Sequence, residues 1–317
     1  MSKDGSLTYQ VKKRLSDKFA FGESKHKQKL SGGMEAAKEG IFSFNTARTY
    51  LRECNNFVKW VKRVYPEART LSDCRPHIRA YLSRVRKRNG GQYSACSLAT
   101  KAAAIAKLYG MKKLKTPERT RERISRSRNH KPGTYEANHP DIVRFCDYTG
   151  LRRHELETIA GNQKEERGGR LFVLVVGNQG KGGKPREIPV IGDAAFVRDM
   201  MDRAGTGKVF GKVSKDMDIH AHRAKYAAEY YKQLARPLDV CKRDPFYDQT
   251  RGVWCINRVY YCRKDQAGTW FDKRAMLAVS RALGHNRISV IAESYLYQLT
   301  RRAAGRPEDR SEARPLD

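Results

Sequence analysis

Residues 139–190 read HPDIVRFCDYTGLRRHELETIAGNQKEERGGRLFVLVVGNQGKGGKPREIPV, and this stretch decides the fold of the second half of the chain. One helix is predicted from about His139, and a second one after the turn at Gly150. Two runs rich in β-branched residues, 171–176 and 186–190, then predict strands joined by a glycine-rich turn. Together they predict a mixed domain around a small three-stranded antiparallel sheet, whose first strand the pattern does not locate.

The chain before this stretch is patterned as helices. A first helix is predicted from Ser43, a second with Ser72 or Asp73 as its cap, and a third from about Ser94 to Tyr109. Helices are also predicted near 193–202, 220–234 and 272–283, so the expected fold class is α+β and mainly helical. The first N-terminal helix, from Ser43, has one apolar face at helical spacing, formed by Ala47, Tyr50, Leu51, Cys54, Phe57, Val58 and Val61.

Composition changes along the chain predict its division into segments. Residues 1–40 are rich in Lys, Ser and Gly and lack sustained periodicity, which indicates a mobile basic arm in which one short helix could form. The stretch at 112–131 is too polar to pack a core, so it is either a linker or a short DNA-facing helix. The predicted segments are a basic flexible arm at 1–40, a small helical domain at 41–111, a basic linker at 112–133, a mixed domain at 134–300 with an inserted hairpin at about 236–270, and a polar tail at 301–317.

The charge balance points to a polyanionic partner. The chain has 65 Lys and Arg against 34 Asp and Glu, a formal net charge of +31. Because basic side chains release condensed counterions from nucleic acid, salt-sensitive binding to it is expected. A solvated basic surface, or an RNA-binding structural protein, would explain the charge as well. Candidate phosphate contacts are Arg48, Arg52, Lys59, Lys112, Lys113, Lys115, Arg153 and Lys184.

The sequence also predicts a compartment and a redox state. It has neither an apolar signal region nor an apolar run long enough to cross a bilayer, so a soluble intracellular protein without membrane contact is expected. The seven cysteines include no C-x-x-C pair, which indicates reduced thiols. No acidic array that would hold two Mg²⁺ ions stands out, so the expectation is a protein without metal or other cofactor.

Five short motifs in the second half combine into one pattern. Thr149-Gly150-Leu151-Arg152-Arg153-His154-Glu155-Leu156 begins a helix, and Gly180-Lys181-Gly182-Gly183-Lys184-Pro185-Arg186 forms the turn between strands. His220-Ala221-His222-Arg223 and Ala282-Leu283-Gly284-His285 follow, and Tyr295 lies ten residues after His285. Each motif alone fits an ordinary helix entry or surface turn, but their order is specific.

This pattern resembles the active-site signature of the tyrosine recombinases, the phage-type integrases, over about residues 135–297. The resemblance implies six catalytic residues: Arg152, Lys181, His220, Arg223, His285 and Tyr295. The chain departs from the pattern where His222 replaces a leucine, and where Tyr295 comes one residue later than usual. Those departures leave His222 as an alternative to His220, and Tyr297 as an alternative nucleophile.

The residue types suit strand exchange at a DNA phosphate. Arg152 and Arg223 would each present a guanidinium fork to the phosphate oxygens. Only about one tyrosine hydroxyl in a thousand is ionised at pH 7, so His220 is the expected base, with Lys181 as the acid for the leaving oxygen. His285 would hydrogen-bond the phosphate or orient the tyrosine. A 3′-phosphotyrosine would store the bond energy for rejoining without ATP.

The resemblance further implies the biological setting. The helical domain would be a core-binding DNA-binding domain, clamping double-stranded recombination sites together with the catalytic domain. Four protomers would meet in the synapse from a monomer or dimer off DNA, with an excisionase or a DNA-bending host protein as possible partners. The expected role is integration or excision of a mobile element in a prokaryotic cytoplasm, associated with the nucleoid. A type IB topoisomerase, a telomere resolvase and a non-catalytic DNA-binding protein are the alternatives.

Overall fold

The computed structural model describes residues 5–112, 114–118, 134–177, 179–180, 185–243, 246–248, 252–255, 258–263, 266–285 and 287–299. The chain divides into two compact units, Met1–Ile124 and Ser125–Asp317. Within the described residues, no helix is both long enough and apolar enough to cross a membrane.

The first unit is built from helices around one apolar core. Its longest helix, α3, begins after Ser43, whose side chain caps the amide of Thr46, and buries the predicted apolar face against α6. The helices are α1 Leu7–Ser16, α2 Lys25–Glu39 with a break in helical geometry at Gly33, α3 Phe44–Val64, α4 Leu71–Cys74, α5 Ile78–Arg84 and α6 Ala95–Tyr109, with a 3-10 turn at Arg75–His77 between α4 and α5.

The prediction of a flexible arm over residues 1–40 allowed one short helix, but it is wrong for α1, which packs into the core. Leu7, Val11 and Leu15 are spaced four residues apart on α1, and all three are buried in the core of the first unit. The basic residues around them hide this short apolar stripe in the composition. The helix therefore belongs to the folded unit.

The cap of the second predicted helix also differs from expectation. Thr70, rather than Ser72 or Asp73, caps α4, and the Asp73 carboxylate reaches back to the Thr70 amide at 2.9 Å. This reciprocal pair is a capping box. The helix is short because a 3-10 turn containing Pro76 follows it before α5 begins.

The second unit contains the predicted three-stranded antiparallel sheet. Its order is β1-β2-β3, with β1 Lys164–Arg167, β2 Arg170–Val175 and β3 Arg186–Pro189. The strand that the pattern did not locate, β1, is an edge strand of four charged residues without apolar alternation. Helices α7 Thr134–Asn138, α8 Pro140–Thr149 and α9 Arg153–Leu156 precede the sheet. The mainly helical α+β class is confirmed.

Helices and two short ribbons complete the second unit. The predicted inserted hairpin is instead a short helix and two separate antiparallel ribbons. Arg236, at the start of this segment, donates its Nε to the carboxylate of Asp272 at the end of the segment, at 2.9 Å. The elements are α10 Ala194–Ala204, α11 Ile219–Leu234, α12 Leu238–Arg243, β4 Phe246–Asp248 with β5 Val253–Cys255, β6 Val259–Tyr261 with β7 Trp270–Asp272, α13 Lys273–Ala282, α14 Ile288–Ser294 and a final 3-10 turn at Tyr297–Leu299.

Candidate active site

The carbonyl oxygen of Leu283 joins two arginines that are distant in the sequence. Leu283 follows the last residue of α13, and its carbonyl accepts Arg152 Nη2 at 2.8 Å and Arg223 Nη2 at 3.2 Å. Arg152 is the N-cap residue directly before α9, and Arg223 lies in the second turn of α11. The structure therefore brings together the starts of two helices and the end of a third.

Arg223 is the most buried charged side chain of the group. It has no solvent exposure, and its Nη1 donates to the carbonyl of Gly150, in the turn before Arg152. Its Nε is buried and has no hydrogen-bond partner among the described residues. Burial lowers the pKa of the guanidinium, and the neighbouring charge of Arg152 acts in the same direction. An unpaired donor on a buried cation is a strong position for an anionic ligand.

Tyr295 lies beside this arginine at the end of α14. Its hydroxyl is 3.1 Å from Nε2 of His285, and the Arg223 guanidinium carbon is 5.6 Å from the centre of its ring. Only 8% of Tyr295 is exposed. Tyr297, the alternative nucleophile, lies in the following 3-10 turn and is half-buried.

The turn after α13 fixes the position of His285. Gly284 has a φ of +68°, a left-handed conformation that side chains rarely adopt, and it redirects the chain at the end of the helix. The amide of His285 then donates to the carbonyl of Ser280 at 2.7 Å, and the Ser280 hydroxyl donates to the carbonyl of His285 at 2.9 Å. These bonds hold the imidazole toward Tyr295.

The carboxylate of Glu155 holds Arg152 in position through hydrogen bonds. The carboxylate accepts the Arg152 amide at 2.7 Å and Arg152 Nη1 at 2.8 Å, and it also accepts both terminal nitrogens of Arg186, at 2.8 and 2.6 Å. Only 1% of Glu155 is exposed. Burial would raise its pKa, but the hydrogen bonds and charges of Arg186 and Arg152 outweigh burial and lower the pKa to about 2.

The two histidines of α11 have different surroundings. His222 Nδ1 lies 2.8 Å from the buried carboxylate of Asp147 on α8, and Lys225 binds the other oxygen of that carboxylate at 2.7 Å. Burial would raise the pKa of Asp147, but these two partners lower it. His220 is exposed in the first turn of α11. Because His222 ties α11 to α8, His220 remains the better candidate for the base.

The predicted lysines of the turn between β2 and β3, Lys181 and Lys184, lie outside the described residues, as does Lys113. The other predicted phosphate contacts of the first unit are exposed: Arg48, Arg52, Lys59, Lys112 and Lys115. The contacts described above link Arg152, Arg223, His285 and Tyr295 to one another, and the roles of all six predicted catalytic residues stay predictions.

Arg153 has a use that the sequence did not indicate. Its guanidinium donates to the carbonyls of Val213 at 3.0 Å, Ser214 and Met217 at 2.8 Å. These bonds hold the loop before α11 against the start of α9. A contact of Arg153 with DNA stays a prediction, and the geometry gives this side chain a structural role first.

Three groups of the site were missed in the sequence. Arg186 was part of a quoted motif without a role, Asp147 was not singled out, and the Leu283 carbonyl has no side-chain signal at all. Of these three groups, only Arg186 left a signal in the sequence, as a charged residue at the first position of a predicted strand.

One acidic pair was overlooked in the sequence, since Asp216-Met217-Asp218 is a D-x-D sequence. Asp218 caps α11 by accepting the amide of Ala221 at 3.1 Å, and Asp216 accepts the hydroxyl of Ser214 at 3.2 Å. Among the described residues, no group of three or more His, Cys, Asp or Glu side chains is placed to hold a metal ion.

Comparisons with known proteins give a likeness of fold only. No protein-family model and no curated protein matches the sequence. The chain is similar to the site-specific recombinase XerH in a crystal structure of its pre-cleavage complex with the difH substrate, with 12% identity, a TM-score of 0.47, and 94% of this chain and 93% of that chain covered. The post-cleavage complex of XerH with a palindromic difH substrate gives 11% identity, a TM-score of 0.49, and coverages of 94% and 92%. Values at this level are too low to establish a family or an activity.

Proposed function

We propose that this chain is a tyrosine-type site-specific DNA recombinase, which cleaves and rejoins DNA strands through a 3′-phosphotyrosine at Tyr295. The observation that carries the proposal is the position of the Tyr295 hydroxyl. It lies at hydrogen-bond distance from His285 and beside Arg223, a fully buried guanidinium with an unpaired Nε. A buried cation next to a phenol is suited to an anionic substrate that the phenol attacks.

Arg152 and Arg223 would bind the scissile phosphate. Each guanidinium carries five N–H donors, and carbonyls and Glu155 take only part of them. The remaining donors would face the non-bridging oxygens, where negative charge grows as the nucleophile adds. Since both side chains already bind the Leu283 carbonyl, little reorganisation is needed when the phosphate arrives.

The proposed cleavage step balances in atoms and charge. The Tyr295 oxygen forms a bond to phosphorus as the bond from phosphorus to the 5′ oxygen breaks. The phenolic proton passes to His220, and the leaving 5′ oxygen takes a proton from Lys181. His285 orients the tyrosine through the 3.1 Å contact with its hydroxyl. The scheme uses no metal ion and no nucleoside triphosphate.

Rejoining would be the reverse attack, by a 5′ hydroxyl from a second strand. The phosphotyrosine conserves the energy of the phosphodiester, so exchange between strands needs no further input. Pairs of double-stranded sites would be held by four protomers, and the product would be an integrated or excised mobile element. An excisionase or a DNA-bending host protein would set the direction.

The test is a covalent adduct trapped on nicked DNA. The purified full chain is incubated with a pool of duplexes of randomised sequence, each nicked so that cleavage releases a short 5′-hydroxyl fragment and rejoining fails. A denaturing gel then separates protein linked to DNA, and sequencing of the retained strand identifies the preferred substrate. We expect wild-type protein and Tyr297→Phe to form the adduct, and Tyr295→Phe to bind the pool without forming it.

Two outcomes would contradict the proposal. DNA binding without any adduct in the wild type would indicate a non-catalytic DNA-binding protein. Loss of the adduct in Tyr297→Phe but not in Tyr295→Phe would move the nucleophile to Tyr297.

A further inference from the structure

We propose that Arg186 is a positioning residue that shares the Glu155 carboxylate with Arg152, and so sets the direction of the Arg152 guanidinium and keeps the net charge of the Arg152–Glu155–Arg186 group positive. The inference deepens the proposed function and rests on it. Nothing in the motif pattern assigns a role to Arg186.

The Glu155 carboxylate accepts hydrogen bonds from both Arg152 and Arg186. Oε1 accepts Nη1 of Arg152 and Nη1 of Arg186, both at 2.8 Å, while Oε2 accepts the amide of Arg152 at 2.7 Å and Nη2 of Arg186 at 2.6 Å. The carboxylate is therefore filled by two arginines. With both cations present the group keeps a net positive charge, whereas Glu155 alone would neutralise Arg152 in a buried place.

Arg186 lies where it can contact several elements of the site. It is the first residue of β3, and its side chain is 8% exposed. Its Nε donates to the carbonyl of Ala282 at 2.9 Å, and the next carbonyl, that of Leu283, binds Arg152 and Arg223. One guanidinium thus connects the start of β3, α9 through Glu155, and the end of α13.

The close packing of Gly284 supports the same role. A Cβ atom at this position would lie 3.1 Å from Cδ of Arg186 and 3.3 Å from its Nε. The chain therefore passes directly over Arg186 just before His285. A shift of this side chain would disturb the turn that presents His285 to Tyr295.

The test measures single-turnover cleavage on a nicked duplex recovered from the randomised pool. In Arg186→Gln we expect the rate at saturating DNA to fall roughly 100-fold, the cost typical of a misplaced catalytic group. The dissociation constant for DNA should change less than about threefold, since Arg186 does not contact DNA in this account. Arg236→Gln, which removes a bidentate arginine from the carboxylate of Asp272 outside the site, is the matched control and should keep the rate.

A double variant separates positioning from plain structural support. If Arg186 acts by compensating Glu155, then Glu155→Gln/Arg186→Gln should cleave no slower than Arg186→Gln alone, because the charge that needs compensation is gone. Additive losses in the double variant would overturn the inference, and so would a wild-type rate in Arg186→Gln.

A second variant, Arg186→Lys, covers the case in which Arg186→Gln does not fold. Should Arg186→Gln fail to fold, Arg186→Lys keeps the charge but not the fork, and we expect a rate roughly tenfold below wild type. A wild-type rate in a folded Arg186→Lys would overturn the inference. If the wild type itself forms no adduct, the proposed function fails; if it does and the Arg186 variants match it, only this inference fails.

Discussion

Arg223 combines two demands on one side chain. It is fully buried, donates to the carbonyls of Gly150 and Leu283, and holds an unpaired Nε beside Tyr295. A planar fork meets all of these contacts at once, whereas an ammonium group is a single point of charge. Replacement by alanine would also remove the donor to the Gly150 carbonyl and one of the two donors to the Leu283 carbonyl, so lysine is the more informative substitution.

In Arg223→Lys we expect single-turnover cleavage to fall by a factor on the order of 100 or more, as for loss of a transition-state donor. DNA affinity should change only slightly. Arg236→Lys, at a buried ion pair outside the site, controls for the loss of stability. Cleavage by Arg223→Lys at the wild-type rate would remove this arginine from the proposed phosphate site.

Glu155 makes the stability of the chain sensitive to acid. Burial alone would raise the pKa of Glu155, but the hydrogen bonds and charges of its two arginines outweigh burial. In the folded chain the pKa is therefore lowered to about 2 from an ordinary value of 4.5. A lowered pKa stabilises the fold fully above pH 4.5, and the stabilisation is lost as the pH falls toward 2. From the size of the shift, that loss is about 3 kcal/mol.

Denaturant unfolding followed between pH 6 and pH 2 should therefore show a smaller acid loss in Glu155→Gln than in the wild type. The difference should be about 3 kcal/mol, since glutamine does not titrate. Glu229→Gln, at an exposed carboxylate on α11 that pairs with Lys232, should follow the wild-type curve. An unchanged pH dependence in Glu155→Gln would mean that the two arginines do not hold the carboxylate.

At the scale of elements, sequence periodicity predicted most of the helices and two of the three strands of the sheet. The apolar face from Ala47 to Val61 predicted α3, and the run 171–176 predicted β2. Local sequence patterns did not predict the elements that are stabilised mainly by packing against a neighbouring helix or strand. Edge strand β1 is entirely charged, and α1 has only three buried apolar residues among basic ones.

Helix α1 gives a direct test at this scale. Leu15 is fully buried in the first unit, so Leu15→Ala should destabilise that unit by about 3 kcal/mol. Hydrogen exchange of the α3 and α6 amides in the full chain should accelerate accordingly. Leu30→Ala, at a leucine of α2 that is 74% exposed, should leave exchange unchanged. Equal exchange in both variants would restore the interpretation of a flexible arm.

The active site was predictable only in part, for a physical reason. The motifs identified Arg152, Arg223, His285 and Tyr295 by order along the chain, and the structure brings these four together. The Leu283 carbonyl, the sharing of Glu155 by Arg186 and the Asp147–His222 contact depend on how α8, α11, β3 and α13 pack. Tertiary packing of this kind leaves no periodic signal in a single sequence.

For the whole molecule, the net charge of +31 predicts how binding responds to salt. The logarithm of the DNA association constant should fall linearly with the logarithm of salt concentration. Lys59→Gln, at an exposed lysine of α3, should reduce that slope by about 1 for all DNA sequences. Lys232→Gln removes a lysine that already pairs with Glu229 and should leave the slope unchanged. A slope that Lys59 does not affect would remove α3 from the predicted DNA contacts.

The central claim is that Arg152, Arg223, His285 and Tyr295 form one phosphate site in which Tyr295 becomes linked to DNA. Mass spectrometry of the adduct trapped on nicked duplex, after digestion of both protein and DNA, tests it most directly. We predict a nucleotide joined through its 3′ phosphate to Tyr295, in the peptide that follows His285. A nucleotide on any other side chain, or a cleaved strand with no protein attached, would contradict the account.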